Sequence, residues 1–519
     1  MARWFLDRSH QSGVPSLSLR RLLPDAQFIG CVDDQVSGCS SDPKKLDPGQ
    51  WFVAVRGDEG DQDGDDGHLM VARALERGAV GVVVDRPCPE AGRLQVVVGD
   101  TRSAHARISH ALAGDPAETL PIVGVTGSTG KSAVGSFLRA ILRAEGRVVG
   151  AIGASSWFDG DSIRALGPKT LDASVLAAIL ANMIGQRCDS AVLEVDHRGI
   201  DRRGVDGIPL AAAVVSNLGE SEGRADRRRS YARMIRRVDA GGAVVIDADD
   251  PDADVLGAVN LEARRVTFGV DPDHDTTPRV NVSAVIERVD AASSRFVLRG
   301  FDRDVVVTLR VGGGHSTVRQ ALAAAAVAWS QGVSVDAVVR GLESVARIPG
   351  RFEPIRLGQN FEVRVDQGRT PEQLTRTLAH LRAITSGRVL CVVGAEGRDH
   401  SSPSSYNEGE RAAIGRAVEA GVDLVVLTSD NPRGDDPNAI VDEIRAGMVH
   451  PGQARVELDR RAAIAFALGY AQAGDGVLIA GKGTLAHQIL SDRVVPFDDA
   501  AEAAQILRDR FPALGRASA

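Results

Sequence analysis

The feature that most constrains the fold is a glycine-rich segment between an apolar run and an amphipathic helix. Residues 124–132 read Gly-Val-Thr-Gly-Ser-Thr-Gly-Lys-Ser and overlap the end of the predicted strand at 120–125. Apolar residues then recur at the spacing of one helix face, at Val134, Phe137, Leu138, Ile141 and Leu142. A strand, tight turn and helix in this order are typical of a parallel sheet with crossover helices, so the segment predicts an α/β domain.

The same segment has the residue types that bind a nucleoside triphosphate. Glycines let backbone N–H groups approach phosphate oxygens, and the helix N-terminus adds a favourable dipole. Lys131 can reach the β- and γ-phosphates, and the Ser132 hydroxyl suits Mg2+. Val125 occupies a position where the strict phosphate-loop pattern has glycine, so an ordinary strand-to-helix turn is the alternative. We predict that ATP binds here, at Gly127, Ser128, Thr129, Gly130, Lys131 and Ser132.

Short β-branched strands alternate with Ala- and Leu-rich helices along most of the remaining chain. The predicted strands are 50–55, 80–85, 191–195, 211–216, 243–246, 389–393, 424–428 and 477–480, with a helix at 460–472. An acidic, glycine-rich surface loop is expected at 57–67, and Pro349-Gly350 is a candidate linker. The pattern predicts three α/β domains, at residues 1–118, 119–349 and 350–519.

Composition excludes several classes of protein. A net charge of -8 argues against a general binder of nucleic acid or anionic membranes, and 4% aromatic residues are too few for base stacking. Five scattered cysteines without a Cys-x-x-Cys pair fit a reducing compartment and exclude a disulfide scaffold or a zinc ribbon. We see neither a signal-peptide apolar region nor a membrane-spanning run, and therefore expect a cytoplasmic protein.

Further motifs flank the glycine-rich segment on both sides. The N-terminal ones are Ser40-Ser41-Asp42, residues 48–54 and Asp66-Gly67-His68. The central ones are Glu194-Val195 and residues 205–207, 216–219 and 247–251. The C-terminal ones are residues 349–351, Asp366, Thr370-Pro371, residues 429–433 and residues 481–483. Over nearly the whole chain this set resembles the Mur ligases, and within them the branch that makes UDP-N-acetylmuramoyl-tripeptide.

The resemblance implies both an architecture and an activity. The expected architecture is a UDP-sugar-binding α/β N-terminal domain, a central phosphate-loop ATPase domain with a mostly parallel sheet, and a Rossmann-like C-terminal domain that binds an amino acid. The implied activity is an ATP-dependent, ADP-forming amide ligase that acts in peptidoglycan precursor synthesis. It would add an amino acid, meso-diaminopimelate, to UDP-MurNAc-L-Ala-D-Glu through an acyl phosphate, with Mg2+ as cofactor and neither nucleic acid nor membrane as partner.

The resemblance also implies roles for individual residues. Lys131 and Glu194 would be catalytic, and Ser132 with Glu194 would hold Mg2+; a helix cap is the alternative for Glu194. Further contacts to ATP would come from Asp247, Arg351 and Asp366. The other substrates would be bound by Ser41, Asp42, Thr170, Arg398, Asp430, Asn431, Arg433 and Gly481. Residues 430–433, Asp-Asn-Pro-Arg, resemble the signature of members that add diaminopimelate, although ordinary turn chemistry also explains such a segment. For His68 we expect a structural role in its loop.

Several positions depart from the family pattern. A carbamylated lysine that helps to hold a second Mg2+ in the family is replaced by Ile235, and a glutamate that meets the ammonium of diaminopimelate is replaced by Leu485. Arg369 lies where the family has histidine, His197 belongs to an altered segment after Glu194, and a serine-rich insertion occupies 401–405. Two alternatives therefore remain open: a non-catalytic paralogue that binds nucleotide or UDP-sugar as a sensor or partner protein, and a ligase with a changed acceptor.

An arginine-rich segment at 224–237 lies where the family has metal-holding lysine and histidine. A solvated basic helix face is the simpler interpretation. The sharper hypothesis is that one arginine, with Arg233 and Arg236 as candidates, replaces the second cation in neutralising phosphate charge.

Overall fold

The structure is a computed structural model, and it describes most of the 519-residue chain. The described residues are 16–30, 35–56, 66–89, 94–166, 172–219, 224–260, 262–271, 280–290, 293–312, 314–398 and 409–510. Most of the predicted 57–67 loop, Thr170 and the 401–405 insertion lie outside these residues.

The N-terminal elements form a five-stranded, mostly parallel sheet. In chain order they are β1 (Leu17–Ser18), α1 (Leu19–Leu22), β2 (Gln27–Ile29), β3 (Gln35–Val36), β4 (Cys39–Ser40), β5 (Trp51–Val53), α2 (Val71–Glu76), β6 (Gly81–Val84), β7 (Gln95–Val97) and α3 (Thr101–Leu112). The strand order is β2-β7-β6-β5-β4, with only β2 antiparallel to its neighbour. β1 and β3 pair separately.

The central elements form one eleven-stranded sheet. They are β8 (Ile122–Thr126), α4 (Lys131–Ala144), β9 (Val149–Ile152), β10 (Ser156–Phe158), β11 (Ile163–Ala165), α5 (Ala173–Gly185), β12 (Ser190–Glu194), α6 (His197–Asp201), β13 (Leu210–Val215), α7 (Arg224–Ile235), β14 (Val238–Asp247), α8 (Ala253–Gly257), β15 (Arg264–Asp271), β16 (Val282–Val289), β17 (Ser294–Arg299), β18 (Val305–Leu309), α9 (Gly314–Ser330) and α10 (Val335–Ser344). The order is β11-β10-β9-β12-β8-β13-β14-β15-β16-β17-β18. Strands β9 to β16 in this order are parallel, and antiparallel hairpins close both edges.

The C-terminal elements form a six-stranded sheet. They are β19 (Glu353–Pro354), β20 (Glu362–Asp366), α11 (Pro371–Ile384), β21 (Val389–Val393), α12 (Glu410–Gly421), β22 (Leu424–Leu427), α13 (Pro437–Arg445), β23 (Arg455–Val456), α14 (Arg460–Tyr470), β24 (Gly476–Ala480), β25 (His487–Ile489), β26 (Val494–Pro496) and α15 (Asp499–Arg510). The order is β19-β20-β24-β21-β22-β23, parallel except at β19, while β25 and β26 make a separate hairpin.

Each large sheet is covered on both faces, as expected for parallel strands joined by helices. In β21, Cys391 packs with the core under α11 and α12, whereas Leu390 and Val392 pack with the core under α14. This alternation follows from the two-residue side-chain period of a strand. The predicted α/β class is therefore confirmed.

The predicted strands and the 460–472 helix all correspond to observed elements, within a few residues at each end. The strands that were not predicted include β16, β17 and β18, which form the antiparallel edge of the central sheet. Their alternation is interrupted, because a register irregularity falls between Ile286 and Arg288 and the Glu287 side chain at this point is exposed.

The candidate linker at Pro349-Gly350 is a tight, packed turn. Gly350 has φ +62° and is buried, and its N–H donates to Glu353 Oε2 at 2.8 Å. A Cβ at Gly350 would lie 2.5 Å from the backbone N of Thr484. The chain therefore passes between the central and C-terminal sheets in close contact with the loop after β24.

The described part of the chain contains no helix that is both long and apolar enough to cross a membrane.

The helix pair α4 and α10 predicts a test of packing. A Cβ at Gly341 would lie 2.4 Å from the Ile141 Cα, so Gly341→Ala must push the two helices apart. We expect a loss of unfolding free energy of about 2–3 kcal/mol, because rigid backbone lies opposite the new methyl group. Urea denaturation followed by circular dichroism measures it. Gly185→Ala is the matched control: nothing lies within 4 Å of its Cβ position, and we expect a change of about 0.5 kcal/mol in the stabilising direction.

Candidate functional site

The glycine loop, residues 127–130, connects β8 to α4 at the carboxyl end of the central sheet. Gly127 has φ +146° and Gly130 has φ +85°, conformations that side-chain-bearing residues rarely adopt. Space is equally restrictive, because a Cβ at Gly127 would lie 2.0 Å from Ser216 Oγ. Glycine is therefore required at these positions by backbone geometry and by the close approach of the neighbouring strand.

The connection after β13 holds the glycine loop in place. Ser216 Oγ and Asn217 Nδ2 both donate to the Thr129 carbonyl, at 2.7 and 2.8 Å. In return, the Thr129 N–H donates to Asn217 Oδ1 at 3.2 Å, and the Ser128 N–H donates to the Asn217 carbonyl at 3.1 Å. This role of Asn217 was not predicted from the sequence, since the contact joins residues 88 positions apart.

Ser132 and Glu194 meet beside the glycine loop. β12 is parallel to β8, and Glu194 pairs with Val125, so the carboxylate comes level with the start of α4. Ser132 Oγ donates to Glu194 Oε2 at 2.8 Å. Burial raises the pKa of Glu194 above its usual value, while Ser132, Lys131 and Arg351 act in the opposite direction. The alternative of a helix cap for Glu194 does not fit, since its hydrogen bond is to a hydroxyl.

Lys131 is the first residue of α4, and its ammonium folds back over the glycine loop. Lys131 Nζ donates to the Gly127 carbonyl at 2.7 Å. Burial lowers the pKa of Lys131, Asp196 and Glu194 oppose that shift, and Arg351 adds to it. The ammonium therefore already lies against the backbone of the glycine loop, near Glu194 and Asp196.

A cleft separates the glycine loop from the C-terminal sheet. Its walls include Thr129, Gly130, Gln320, Arg351, Asp366 and His380. The Asp366 carboxylate is fixed by the N–H groups of Phe352 and Gly368, each at 2.7 Å. The structure thus brings together the predicted residues of the loop, Arg351 and Asp366, although they come from both sides of the turn at Gly350.

Asp247, also predicted to contact the nucleotide, is buried and bound to an arginine. Arg319 Nη1 lies 2.9 and 2.7 Å from its two carboxylate oxygens, and Arg319 Nη2 donates to Asp249 at 2.6 Å. Burial raises the pKa of Asp247, against the effect of Arg319. Asp247 therefore presents its carboxylate to α9, a partner that the sequence analysis did not identify.

Most arginines of the segment 224–237 form ion pairs. Arg224 binds Asp250 and Asp252, Arg228 binds Asp252, Arg229 binds Asp226, Arg233 binds Asp201 and Arg237 binds Asp206. Arg227 differs: its Nε donates to the Leu218 carbonyl at 2.6 Å. Arg227 Nη2 and Ser128 Oγ both lie within 3.5 Å of the position that a Gly219 Cβ would occupy. The arginine next to the glycine loop is therefore Arg227 rather than Arg233.

Ile235, at the position of the missing lysine, is fully buried in the core that contains Tyr231 and Met234. No group of three or more His, Cys, Asp or Glu that could hold a metal ion occurs among the described residues. The nearest set of oxygen ligands at the loop is the pair Ser132 and Glu194.

A second polar cluster lies at the carboxyl ends of the C-terminal strands. Lys482 Nζ is 2.9 Å from Asp430 Oδ1 and donates to Asn431 Oδ1 at 2.8 Å, with Lys482 and Asp430 both buried. Burial pushes the pKa of Asp430 upward, but Lys482, Arg369 and Arg460 outweigh it and hold the pKa at about 2. Asp430, Asn431 and the Gly481 segment are thus brought together as predicted.

Arg398 does not join this cluster through its guanidinium. Its Nη2 lies 3.8 Å from Glu443 of α13 and its backbone N–H donates to Asp435, while the side chain is largely exposed. Glu396 is instead the neighbour of Asn431 and Arg433. The sequence offers one signal for Glu396, which is its position shortly after the buried parallel strand β21.

In the N-terminal part, Ser41 and Asp42 follow β4 in a short loop. Asp42 accepts the Lys44 N–H at 2.9 Å and caps a single helical turn. His68 lies between two carboxylates: Nδ1 is 2.6 Å from Asp66, and Nε2 accepts the Asp85 N–H at 3.2 Å. These contacts fit the structural role expected for His68.

Comparison with known proteins identifies the family. Residues 125–328 match the Mur ligase middle domain, and residues 350–483 match the Mur ligase glutamate ligase domain. A UDP-N-acetylmuramoyl-L-alanyl-D-glutamate--2,6-diaminopimelate ligase of Syntrophomonas wolfei is 30% identical over 493 residues, covering 93% of this chain and 96% of the relative. The enzyme of the same name from Caldanaerobacter subterraneus is 30% identical and covers 93% and 97%.

Solved structures agree at the level of the fold. A structure of a UDP-N-acetylmuramoyl-L-alanyl-D-glutamate--2,6-diaminopimelate ligase has a TM-score of 0.62 at 24% identity, covering 96% of this chain and 99% of that chain. The MurF ligase of Thermotoga maritima, solved in complex with ADP, has a TM-score of 0.57 at 19% identity and covers 92% and 98%. The fold and the site define an α/β protein in which the glycine loop of the central sheet faces the C-terminal sheet across a cleft. This chain belongs to the Mur ligase family, as the sequence resemblance predicted.

The buried ion pair between Lys482 and Asp430 predicts a large effect on stability. Asp430→Asn leaves the Lys482 ammonium buried without its counter-charge, and we expect a loss of about 3–5 kcal/mol in urea denaturation at pH 7. Because the folded pKa is about 2, below the usual 3.8, the carboxylate stabilises the fold at higher pH and loses this effect as pH falls toward 2. The difference between the two proteins should therefore shrink on acidification. Asp492→Asn, at an exposed pair, is the control and should change nothing measurable. A constant difference down to pH 2 would contradict the assignment.

Proposed function

We propose that the chain is an ATP-dependent, ADP-forming ligase that joins meso-diaminopimelate to UDP-MurNAc-L-Ala-D-Glu. The observation that carries the proposal is the Ser132–Glu194 contact at the end of the glycine loop, whose Thr129 and Gly130 face Arg351 and Asp366 across one cleft. The curated relatives named for this reaction cover the same length of chain, which supports the same pair of substrates.

ATP would bind along the glycine loop, with backbone N–H groups and the start of α4 directed at its phosphates. Lys131 would release the Gly127 carbonyl and neutralise phosphate charge, while Arg351 and Asp366 would contact the nucleotide from the other side of the cleft. Asp247 would act near the base only together with Arg319, since Arg319 Nη1 already donates to both carboxylate oxygens of Asp247.

Mg2+ fits the pair Ser132 and Glu194. A hydroxyl and a carboxylate oxygen 2.8 Å apart are hard oxygen donors, and Mg2+ in nucleotide sites is commonly held by one or two protein oxygens plus phosphates and water. When bound, the ion would polarise the phosphoryl oxygens and neutralise the charge that develops during transfer. Loss of a proton from buried Glu194 would be favoured by the same ion.

The reaction would take place in two steps. The dipeptide carboxylate attacks the γ-phosphorus, ADP leaves, and the amine then attacks the acyl carbon with loss of phosphate. Charge crowding is the main barrier, so positioned cations should supply most of the rate enhancement. We assign the UDP-muramoyl dipeptide to Ser41, Asp42 and Thr170, and the amino acid to Arg398, Asp430, Asn431, Arg433 and Gly481. Arg398 would have to leave Glu443 to take part.

We further propose that the three large sheets correspond to domains at 1–118, 119–349 and 350–519 and that the reaction is cytoplasmic. A non-catalytic, nucleotide-binding paralogue is the second candidate, because buried Ile235 offers no ligand for a second ion. A changed acceptor is the third, since Leu485 offers no carboxylate.

Turnover of the purified chain is the direct test. We expect ADP release that requires ATP, Mg2+, UDP-MurNAc-L-Ala-D-Glu and meso-diaminopimelate together, with the UDP-tripeptide detected by mass spectrometry. Lys131→Ala should lower kcat by on the order of 100-fold, because a cation at the transferring phosphate is lost. Arg143→Ala, on the exposed side of the same helix, is the control. ATP binding without ADP from any acceptor would favour the paralogue, and ADP release with other amines only would favour the changed acceptor.

A second test concerns the missing cation. We propose that Arg227 neutralises phosphate charge, because it lies beside Ser128, whereas Arg233 is bound to Asp201. Arg227→Ala should lower kcat by on the order of 10-fold or more. Arg229→Ala removes an arginine of the same helix that binds only exposed Asp226, and should leave kcat unchanged. Equal rates for both variants would show that α7 serves as a basic structural face.

A further inference from the structure

Five side chains converge at the carboxyl edge of the C-terminal sheet; we call Arg369, Glu396, Asn431, Arg433 and Lys482 the strand-end cluster. They follow the carboxyl ends of β20, β21, β22 and β24. β24 lies between β20 and β21, and β22 is on the other side of β21, so the loops after these four parallel strands open at one edge of the sheet. Ligands of open α/β sheets bind outside the carboxyl ends of the strands.

Glu396 lies at the centre of the cluster, and one of its oxygens is fully engaged. Oε1 accepts from Asn431 Nδ2 at 2.9 Å and lies 3.0 Å from Arg369 Nη1. Asn431 is itself fixed, because its Oδ1 accepts from Lys482 and from the Ile489 N–H. The carboxylate is therefore held in a defined orientation by protein contacts on Oε1.

The second oxygen of Glu396 is placed differently. Oε2 is 3.8 Å from Arg433 Nη2, which is longer than a hydrogen bond. The side chain of Glu396 is 18% exposed and that of Arg433 is 29% exposed, so both reach solvent. A carboxylate oxygen and a guanidinium at this separation can each take a ligand group without leaving the other.

Backbone geometry holds Arg433 at this position. Its φ is +53°, in the left-handed region, and its N–H donates to the Ile489 carbonyl at 3.1 Å. Strained backbone of this kind persists only where the surroundings enforce it, and it is frequent at ligand sites. The hairpin of β25 and β26 supplies the enforcing contact.

The charge of the cluster also selects its ligand. Arg369, Arg433 and Lys482 are cationic and Glu396 is anionic, and the adjoining Asp430 pairs with Lys482, which leaves one net positive charge. Neighbouring His487 adds none at neutral pH, because burial first and then Lys482 lower its pKa. A diamino diacid whose attacking amine is neutral carries one net negative charge and is complementary to this site.

We propose that Glu396 and Arg433 together bind the zwitterionic end of the incoming α-amino acid, its ammonium on Glu396 Oε2 and its carboxylate on Arg433. This inference rests on the proposed function, which requires an amino acid as acceptor. Arg369 and Asn431 are positioning residues that orient Glu396. Glu396 thereby supplies the carboxylate that position 485, a leucine, lacks.

Isothermal titration calorimetry on the full chain tests binding at the Glu396–Arg433 site separately from turnover. The chain is saturated with Mg2+, a non-hydrolysable ATP analogue and UDP-MurNAc-L-Ala-D-Glu, then titrated with three probes. These are meso-diaminopimelate, pimelate, which lacks both ammonium groups, and 1,5-diaminopentane, which lacks both carboxylates. The probes separate contacts to ammonium from contacts to carboxylate.

Each variant should change affinity for a different set of probes. Glu396→Gln should weaken the binding of meso-diaminopimelate by on the order of 10- to 100-fold, the range expected for loss of a hydrogen bond between charged groups. The same variant should bind pimelate at least as tightly as the original chain does. Arg433→Gln should weaken both diacids and leave 1,5-diaminopentane unaffected. Glu502→Gln, at a separate ion pair with Arg461, is the matched control. Melting temperatures of all variants show whether each one is folded.

Two results would overturn the proposal: no binding of meso-diaminopimelate to the original chain, or equal weakening of both diacids by Glu396→Gln. Equal weakening means that Glu396 only orients the arginines. The outcome is distinct from that of the turnover test. Binding of meso-diaminopimelate that depends on Glu396, without ADP release, would support the amino-acid site and contradict the ligase activity. Turnover that is unaffected by Glu396→Gln would support the ligase activity and contradict the role of Glu396 in the site.

Discussion

The close approach of three parallel strand ends around residues 127–130 is the constraint on which the rest of the site depends. β12, β8 and β13 end level with one another, so Glu194, the glycine loop and Ser216 share one edge of the sheet. Without a Cβ at Gly127, Ser216 and Asn217 can hold the loop through the Thr129 carbonyl. The parallel register then brings Glu194 to Ser132, and the turn at Gly350 brings Arg351 to the cleft that Thr129 and Gly130 line.

The C-terminal sheet uses the same principle with different side chains. Loops from four parallel strands meet at the carboxyl edge of the sheet, and each contributes at least one charged or amide group to the cluster around Glu396. Buried Lys482 and Asp430 form the base of this cluster, and the more exposed Glu396 and Arg433 form its rim. Rigid strand ends thus position groups that come from distant parts of the chain, which is why a function can be altered there without loss of the fold.

Much of the fold was predictable because apolar periodicity is local. The strand at 389–393 and the helix beginning at Arg460 were read from a few adjacent residues each, and they are observed. The antiparallel strands after β15 were not predicted, because charged side chains and a register irregularity at Ile286 interrupt the alternation. At the site, Ser132 and Glu194 were predicted as a pair. The hydrogen bond from Asn217 to the Thr129 carbonyl was not predicted, because neither segment contains a pattern that points to the other.

The sequence by itself determined the α/β class, the glycine loop and membership of the Mur ligase family, because each is encoded in short motifs and in their order. Only the tertiary structure decided which charged groups face one another. Arg319 forms an ion pair with Asp247, Glu443 forms one with Arg398, and Glu396 lies beside Arg433. The physical reason is that long charged side chains in an arginine-rich chain have many partners within reach. Strand order and loop geometry, which arise from contacts far apart in sequence, select among those partners.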